Sequence, residues 1–434
     1  MSCRFWKLLS AWRIHYLIIQ LQQQNPISPS NAPINRWNVA IAGVVMQLAL
    51  GAIYAWSLFV TPLGKLHPSW SRTDITLTFS IALVALGVGA IAGGYLLDRH
   101  GPRRVATLAG LLYGLGFIGA GTLHEFWGLY LSYGVLSGLG MGLGYIVPLA
   151  TLLKWFPDKR GLITGLAVAG FGGGAVITTL IVPSLVESFG LYKTFSILGV
   201  AYMLMVTGAA QFYRVAPVGY SPPGWLPTAA QSRQRAVRDF TLREALATWQ
   251  WYVLWLILFL NVTAGVMLIS QAKPMAKEIT GTTDEIAASV VILISICNGV
   301  GRLFWAWLSD VISRRRVFLV MFLLQAGFFF LLPSIRQFSW LAIVMMAVAL
   351  CYGGGFGTMP AFAADYFGSK NAGKIYGLML TAWSAAGVLG PILIAQVKDR
   401  TNGYEAALKI IAVAMLLSAA LPLIAQPPSS RQSP

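Results

Sequence analysis

A chain of 434 residues that is 57% hydrophobic and only 10% charged is not an ordinary water-soluble enzyme or binding domain, in which about a quarter of the residues carry charge. Its formal net charge of +17 would suit nucleic acid if the cations shared one aromatic-interleaved face, but they fall in short clusters between long apolar runs. The pattern excludes a nucleic-acid partner and points to hydrocarbon as the main solvent of the fold.

Taken in chain order, Met1 to Asn35 combine basic residues, a short apolar patch at Tyr16 to Leu21 and a Gln/Pro/Ser/Asn-rich stretch. The patch is too short to span and no small-residue cleavage site follows it closely, so residues 1–35 read as a cytoplasmic tail. Apolar runs of the roughly 20 residues needed to cross a bilayer core of about 30 Å lie near 37–61, 77–97, 104–122, 127–152, 162–185 and 193–213. Residues 216–245, rich in Pro, Gly, Ser, Gln and Arg, read as a cytoplasmic linker. Six more runs follow near 246–270, 286–308, 317–334, 338–360, 375–397 and 404–426, and residues 427–434 form a tail. The expected fold is an all-α membrane protein: twelve transmembrane helices in two six-helix bundles, 36–215 and 246–426.

Loops carrying Arg99, Arg103 and Arg104; Lys154, Lys159 and Arg160; Arg233, Arg235, Arg238 and Arg243; Arg314, Arg315 and Arg316; and Lys370 and Lys374 alternate with poorer ones. Positive-inside topology makes that side cytoplasmic, with both termini inside; a bacterial inner membrane is the expected setting. Cys3, Cys297 and Cys351 are widely spaced, and His15, His67, His100 and His124 form no ligand-spaced group with them. Neither a disulfide framework nor a metal or other cofactor is expected.

The two halves repeat. An offset of about 212 residues superposes Gly87-Val88-Gly89 on Gly299-Val300-Gly301, Asp98 on Asp310, Pro148 on Pro360 and Gly165 on Gly377. Both prolines sit in glycine-rich stretches, Gly138 to Gly144 and Gly353 to Gly357. Glycines there let backbones approach in a medium where packing is the main adhesive; without a strand, a helix start and a lysine they do not make a nucleotide loop. Two parallel repeats with a site between them near the midplane are a transporter plan.

At the end of the second run stands Gly94-Tyr-Leu-Leu-Asp98-Arg99-His-Gly101-Pro102-Arg103-Arg104, with a fainter copy in Leu308-Ser309-Asp310 and Arg314 to Arg316. Gly101 and Pro102 supply a turn, and Asp98 can pair with arginines of this or a neighbouring helix. The repeated aspartate points to helix docking that controls a gate, beyond a merely basic loop.

Arg302 falls inside the eighth run, eight residues before Asp310, hence about 12 Å up a helix rising 1.5 Å per residue. A central arginine costs about 2.5–3.5 kcal/mol on insertion scales, and its counterpart in the first half is Ala90, so the architecture does not demand a cation. It could snorkel or pair with a carboxylate, but the distance is long and no Asp or Glu lies deep in a run. An anionic ligand is the favoured partner. Tyr54 and Trp56 in the first run, Tyr352 and Phe356 in the tenth and Trp383 in the eleventh could complete such a site or simply pack; a tyrosine hydroxyl can donate to a carboxylate while its ring excludes water.

The loop from Gly94 to Arg104 is similar to the loop signature of the major facilitator superfamily. Gly51-Ala-Ile-Tyr54-Ala-Trp56-Ser57, Lys154-Trp-Phe-Pro-Asp-Lys-Arg-Gly161, Asn298-Gly-Val-Gly-Arg302, Ala364-Asp-Tyr-Phe-Gly368 and Leu380-Thr-Ala-Trp383 resemble the oxalate/formate antiporter family within it, from Trp37 to about Ala425. The resemblance implies the major facilitator fold, with Arg302 binding substrate carboxylate and Tyr54, Tyr352 and Phe356 lining the cavity. Oxalate exchangers of the family use a second cation, a lysine in the eleventh span, where this chain has Trp383. One fixed cation suits one carboxylate, so a monocarboxylate of the formate, lactate or pyruvate class is expected over oxalate. Related monocarboxylate/proton carriers place an acid where this chain has Asn298, one helical turn before Arg302 on the same face. The expectation is a secondary transporter, not an enzyme, working as a monomer on a small organic anion with a proton or counter-anion. The alternatives are proton-coupled efflux of amphiphiles and a non-transporting sensor.

Overall fold

The computed structural model describes residues 35–217, 219–227, 238–401 and 403–428. The tail through residue 34, with Cys3, His15 and the Tyr16 to Leu21 patch, the linker residues 228–237 with Arg233 and Arg235, and residues 429–434 lie outside the described residues. The described residues from Val39 onward form one compact body, helical throughout its elements.

Among the described residues, eleven helices are long and apolar enough to cross a membrane. One of them, Arg72–Thr122, is 51 residues long and at 1.5 Å per residue would extend about 76 Å, more than twice a hydrocarbon core. It bends where Gly101 takes φ 76° and ψ 167° ahead of Pro102. Only glycine enters that region without a Cβ penalty, so the loop motif divides two spans, the second and third, and the crossings number twelve. The others follow in order. The first is Arg36–Leu50, a 3-10 turn Gly51–Ala55 and Ser57–Leu66. The fourth runs through Phe126–Leu129, a π-helical Tyr130–Ser137 and Gly138–Trp155; the fifth is Arg160–Phe189 and the sixth Leu191–Ala210. The seventh to tenth are Trp249–Ser270, Asp284–Ile312, Arg314–Leu331 and Phe338–Phe367. The eleventh is Ala372–Met379 continued by Thr381–Thr401, and the twelfth Glu405–Ser418 continued by Ala420–Ile424.

Large apolar side chains such as Ile41, Leu180 and Leu417 point outward, as they must when the surrounding medium is lipid. Within each half the spans pack on one another: the second and third against the fourth and sixth, the eighth against the tenth, the seventh against the eleventh. The halves meet where the fifth span lies against the eighth and tenth and the second against the start of the eleventh.

That junction carries the internal repeat in three dimensions. A Cβ on Gly94 would lie 2.6 Å from the Gly373 carbonyl, and one on Gly161 would collide with the Ala306 carbonyl; each residue of one pair is 212 positions from its counterpart in the other. A Cβ on Gly377 would lie 2.6 Å from the Ala90 carbonyl, and one on Gly165 the same distance from the Arg302 carbonyl. The spans can cross this closely only because those positions lack side chains.

At the entry to the seventh span the linker ends in a capping box, in which Thr241 and Glu244 bond reciprocally. Hydrogen bonds from the Thr241 backbone and hydroxyl and from Arg238 hold the Glu244 carboxyl down at about 2. The Phe240 N–H donates to the Phe367 carbonyl at 2.9 Å and Asn371 Nδ2 to the Phe240 carbonyl at 2.6 Å, tying the linker to the loop between the tenth and eleventh spans.

Candidate functional site

Arg302 is 1% exposed, in the middle of the eighth span. Its Nε donates to Asn298 Oδ1 at 3.3 Å, one turn earlier, and its Nη1 donates across the junction to the Val168 carbonyl of the fifth span at 3.1 Å. Nη2 is buried with no hydrogen-bond partner among the described residues. Asp310 of the eighth span and Asp365 of the tenth are engaged by Arg314 and Arg160 instead. The guanidinium therefore enters the interior with no salt bridge among the described residues, held in place by an amide and a carbonyl.

Rings from both halves surround it. Its guanidinium carbon lies 5.2 Å from the centre of the Phe356 ring and 5.6 Å from that of Phe171, within cation–π range. Trp383 is the hub, with ring centres at 5.0 Å from Phe356, 5.8 Å from Tyr145, 6.0 Å from Phe171 and 6.2 Å from Tyr54. Tyr352 meets Phe356 edge-on at 5.5 Å. The hydroxyls of Tyr54, Tyr145 and Tyr376 are buried without a well-aligned hydrogen bond among the described residues, but they face one another in pairs, Tyr145 with Tyr376 and Tyr54 with Tyr352; Arg302 Nη2 has no partner among the described residues. Tyr145, Tyr352 and Tyr376 all lie within electrostatic reach of Arg302. Leaving a buried donor unmade costs about 1–3 kcal/mol, and more for a charged group, so the Arg302 Nη2 group among tyrosine hydroxyls marks a place built for an acceptor.

Of the residues singled out in the sequence, Arg302, Asn298, Tyr54, Tyr352, Phe356 and Trp383 come together here. Trp56 does not: its ring packs on Tyr133 at 4.4 Å and Phe59 at 6.1 Å, inside the first half. The site also includes three residues the sequence reading passed over, Tyr145, Phe171 and Tyr376. Tyr145 had a signal. Gly142 packs on the backbone of Leu86 and Gly353 on that of Asn298; Leu86 and Asn298 are 212 residues apart, while Gly142 and Gly353 are one fewer. With that slip, Tyr145 is the counterpart of Phe356 in the other half.

On the face that carries the basic loops, polar contacts bridge the halves. Asp98 pairs with Lys374 at 2.7 Å, not with an arginine of its own loop or a neighbour. Asp310 accepts from the N–H groups of Gly161 at 3.0 Å and Leu162 at 2.8 Å, the first turn of the fifth span, and pairs with Arg314 at 2.6 Å. Lys374 and Leu162 are 212 residues apart, so each aspartate meets the matching position of the opposite half. Asp365 binds Arg160 at 2.9 Å and Arg314 at 3.0 Å, and Thr164 Oγ1 donates to the Gly357 carbonyl at 2.8 Å. Gly94 lies at the close approach already described, and Pro148 and Pro360 are buried within the fourth and tenth spans. Arg99 is exposed, and Arg103 turns away from the junction to donate to Gln211 Oε1 of its own half at 2.8 Å.

Twelve spans in two repeated halves around a buried site define a membrane transport protein. The sequence matches the Major Facilitator Superfamily over residues 34–271 and 254–434, and the chain belongs to that superfamily. It is a multi-pass secondary transporter. It is 32% identical over 81% of its length to an uncharacterised transporter of the same superfamily from Escherichia coli (strain K12), 86% of which is covered. It is 28% identical to the oxalate:formate antiporter of Oxalobacter formigenes over 89% of this chain and 90% of that one. The proton:xylose symporter XylE superposes with a TM-score of 0.68 at 14% identity, covering 89% of this chain and 94% of that one, a likeness of fold alone.

Proposed function

We propose that the chain carries a small organic anion, a monocarboxylate of the formate, lactate or pyruvate class, by alternating access at Arg302. The observation that carries the reading is a buried guanidinium with no salt bridge among the described residues, its Nη2 without a hydrogen-bond partner there and the hydroxyl-bearing rings of Tyr145, Tyr352 and Tyr376 within electrostatic reach. One carboxylate oxygen takes Nη2 and the other a tyrosine hydroxyl, while Phe171, Phe356 and Trp383 exclude water and face the apolar remainder. A second carboxylate would face the Trp383 ring, which offers no charge to meet it. The relationship to an oxalate:formate antiporter supports an anion and an exchange cycle. Asn298 supports exchange too, because the residue fixing Arg302 Nε cannot take up a proton.

Movement is read as rocking of the halves about this site. The contacts made by Asp98, Asp310 and Asp365 close the basic face, which positive-inside topology makes cytoplasmic, in a bacterial inner membrane with both termini inside. The protein works as a monomer, since each half supplies part of one site.

The test is a thermal-shift screen of detergent-purified protein against mono- and dicarboxylates, run in parallel on Arg302→Ala. A short monocarboxylate that stabilises the wild type and leaves Arg302→Ala unmoved is the expected outcome. Equal shifts in both proteins, or none with any carboxylate, would sink the anion assignment.

A further inference from the structure

A cavity of about 820 Å³ opens on the basic face, away from the junction of the halves, between the turn joining the second and third spans and the end of the sixth. Its upper wall is cationic: His100, Arg103, Arg104 and Arg214 line it, with no acidic residue in the lining. Its lower wall is apolar, formed by Leu108 and Leu111 of the third span. Leu111 lies seven residues beyond Arg104, about 10 Å deeper along the helix axis. Leu108 and Leu111 are exposed and continue in exposed Leu115 along the same outward stripe.

Two arginines are held ready. Arg103 is oriented by its Nε bond to Gln211, and Arg214 by Nη1 bonds to the carbonyls of Gln211 and Tyr213 at 2.7 and 2.9 Å; in each the other guanidinium nitrogens remain for a ligand. Asp98, the acid five residues before Arg103, is taken by Lys374. Guanidinium groups suit phosphate oxygens, which they can bind with two N–H groups at once. A cationic rim above a greasy wall open to lipid is matched by an amphiphile with a phosphoryl head and an acyl tail.

We propose that this cavity is a binding site for an anionic glycerophospholipid of the basic-face leaflet. The phosphodiester sits among Arg103, Arg104 and Arg214, and one acyl chain runs down Leu108, Leu111 and Leu115. The phosphoryl chemistry is shared with free phosphate, so the tail decides between the sources.

Dioleoylphosphatidylglycerol is titrated into the detergent-solubilised full chain and retained adducts are counted by native mass spectrometry, for the wild type and for Arg104→Gln/Arg214→Gln. Dioleoylphosphatidylcholine and glycerol phosphate serve as the other two arms. A juxtamembrane cation contributes about fivefold in affinity, so the double variant should bind phosphatidylglycerol roughly 25-fold more weakly. Phosphatidylcholine should be retained poorly by both proteins, and glycerol phosphate should not displace the lipid. A Leu111→Gln variant, which keeps all the cations, should also bind phosphatidylglycerol more weakly. Unchanged retention in the arginine variant, or equal retention of phosphatidylcholine, would overturn the site. Displacement by glycerol phosphate with Leu111→Gln silent would reassign it to free phosphate and overturn the lipid.

Discussion

The two copies of the loop motif make unequal contacts, and this sets an order for two conservative substitutions. Asp310 accepts two backbone N–H groups at the start of the fifth span and pairs with Arg314. Asparagine keeps one acceptor oxygen but turns an NH2 group toward the other N–H, and it gives up the charge that the helix N-terminus favours. Hydrogen bonds to charged groups contribute about 1.5–3 kcal/mol each, so Asp310→Asn should weaken closure of the basic face by about 2–4 kcal/mol, roughly 30- to 1,000-fold in the closed-to-open ratio. Asp98 makes one ion pair, and the Asp98 and Lys374 side chains are 29% and 24% exposed. Solvent-screened pairs of that kind contribute about 0.2–1 kcal/mol, so Asp98→Asn should change the ratio by at most about fivefold. The reporter is Ala361→Cys in a background with the native cysteines replaced by serine. Ala361 is fully buried and clusters with Leu153 of the first half. Its rate of labelling by a maleimide in nanodiscs follows the open fraction. Asp310→Asn should raise the rate at least tenfold over the parent and well beyond Asp98→Asn, with the melting temperature monitored to exclude unfolding. Equal acceleration by the two variants, or the larger effect from Asp98→Asn, would refute the reasoning.

Other outcomes follow from the central site. Tyr376→Phe removes one donor and should weaken monocarboxylate binding by about 10- to 150-fold, at roughly 1.5–3 kcal/mol for one hydrogen bond to a charged acceptor; isothermal titration checks it. Asn298→Asp places a carboxylate against Arg302 Nε that competes with substrate when ionised. Anion affinity should then be low at neutral pH and rise as the pH falls and the acid takes up a proton, while the wild type lacks that dependence over the same range. Trp383→Lys adds a second cation facing Tyr54 and Phe356 and should shift the monocarboxylate-to-dicarboxylate affinity ratio at least tenfold toward the dianion, read by competition in proteoliposome exchange. A Cβ at Gly301 would collide with the Leu350 carbonyl, forcing the eighth and tenth spans apart beside Arg302; overpacking costs about 1–3 kcal/mol, so Gly301→Ala should melt lower and bind the anion more weakly.

Spans, repeat and the central cation were legible because each violates what water or lipid would otherwise permit. A run of about 20 apolar residues has few uses outside a bilayer, and a charge in its middle is costly enough to need a reason. Aromatic residues carry no such penalty, so the sequence alone does not separate Trp56 from Tyr54. Two residues along a helix turn the side chain by about 200°, and the 3-10 turn Gly51–Ala55 leaves Tyr54 toward Trp383 while Trp56 faces Tyr133. Tyr376 and Tyr145 are hidden for a related reason: a tyrosine inside an apolar run reads as packing until the fold brings it within electrostatic reach of Arg302. The partner of Asp98 was within reach of the sequence but not of the local motif. Arginines close by suggested local pairing, whereas the repeat relates residue 374 to residue 162, and the aspartate of each half meets that position in the other. The second copy of the motif looks fainter because it has fewer glycines and basic residues in register, yet it makes more bonds, since Asp310 caps a helix where Asp98 meets one lysine. Motif strength in the chain and bond strength at the junction are therefore separate quantities, and the contrast between Asp310→Asn and Asp98→Asn measures the second.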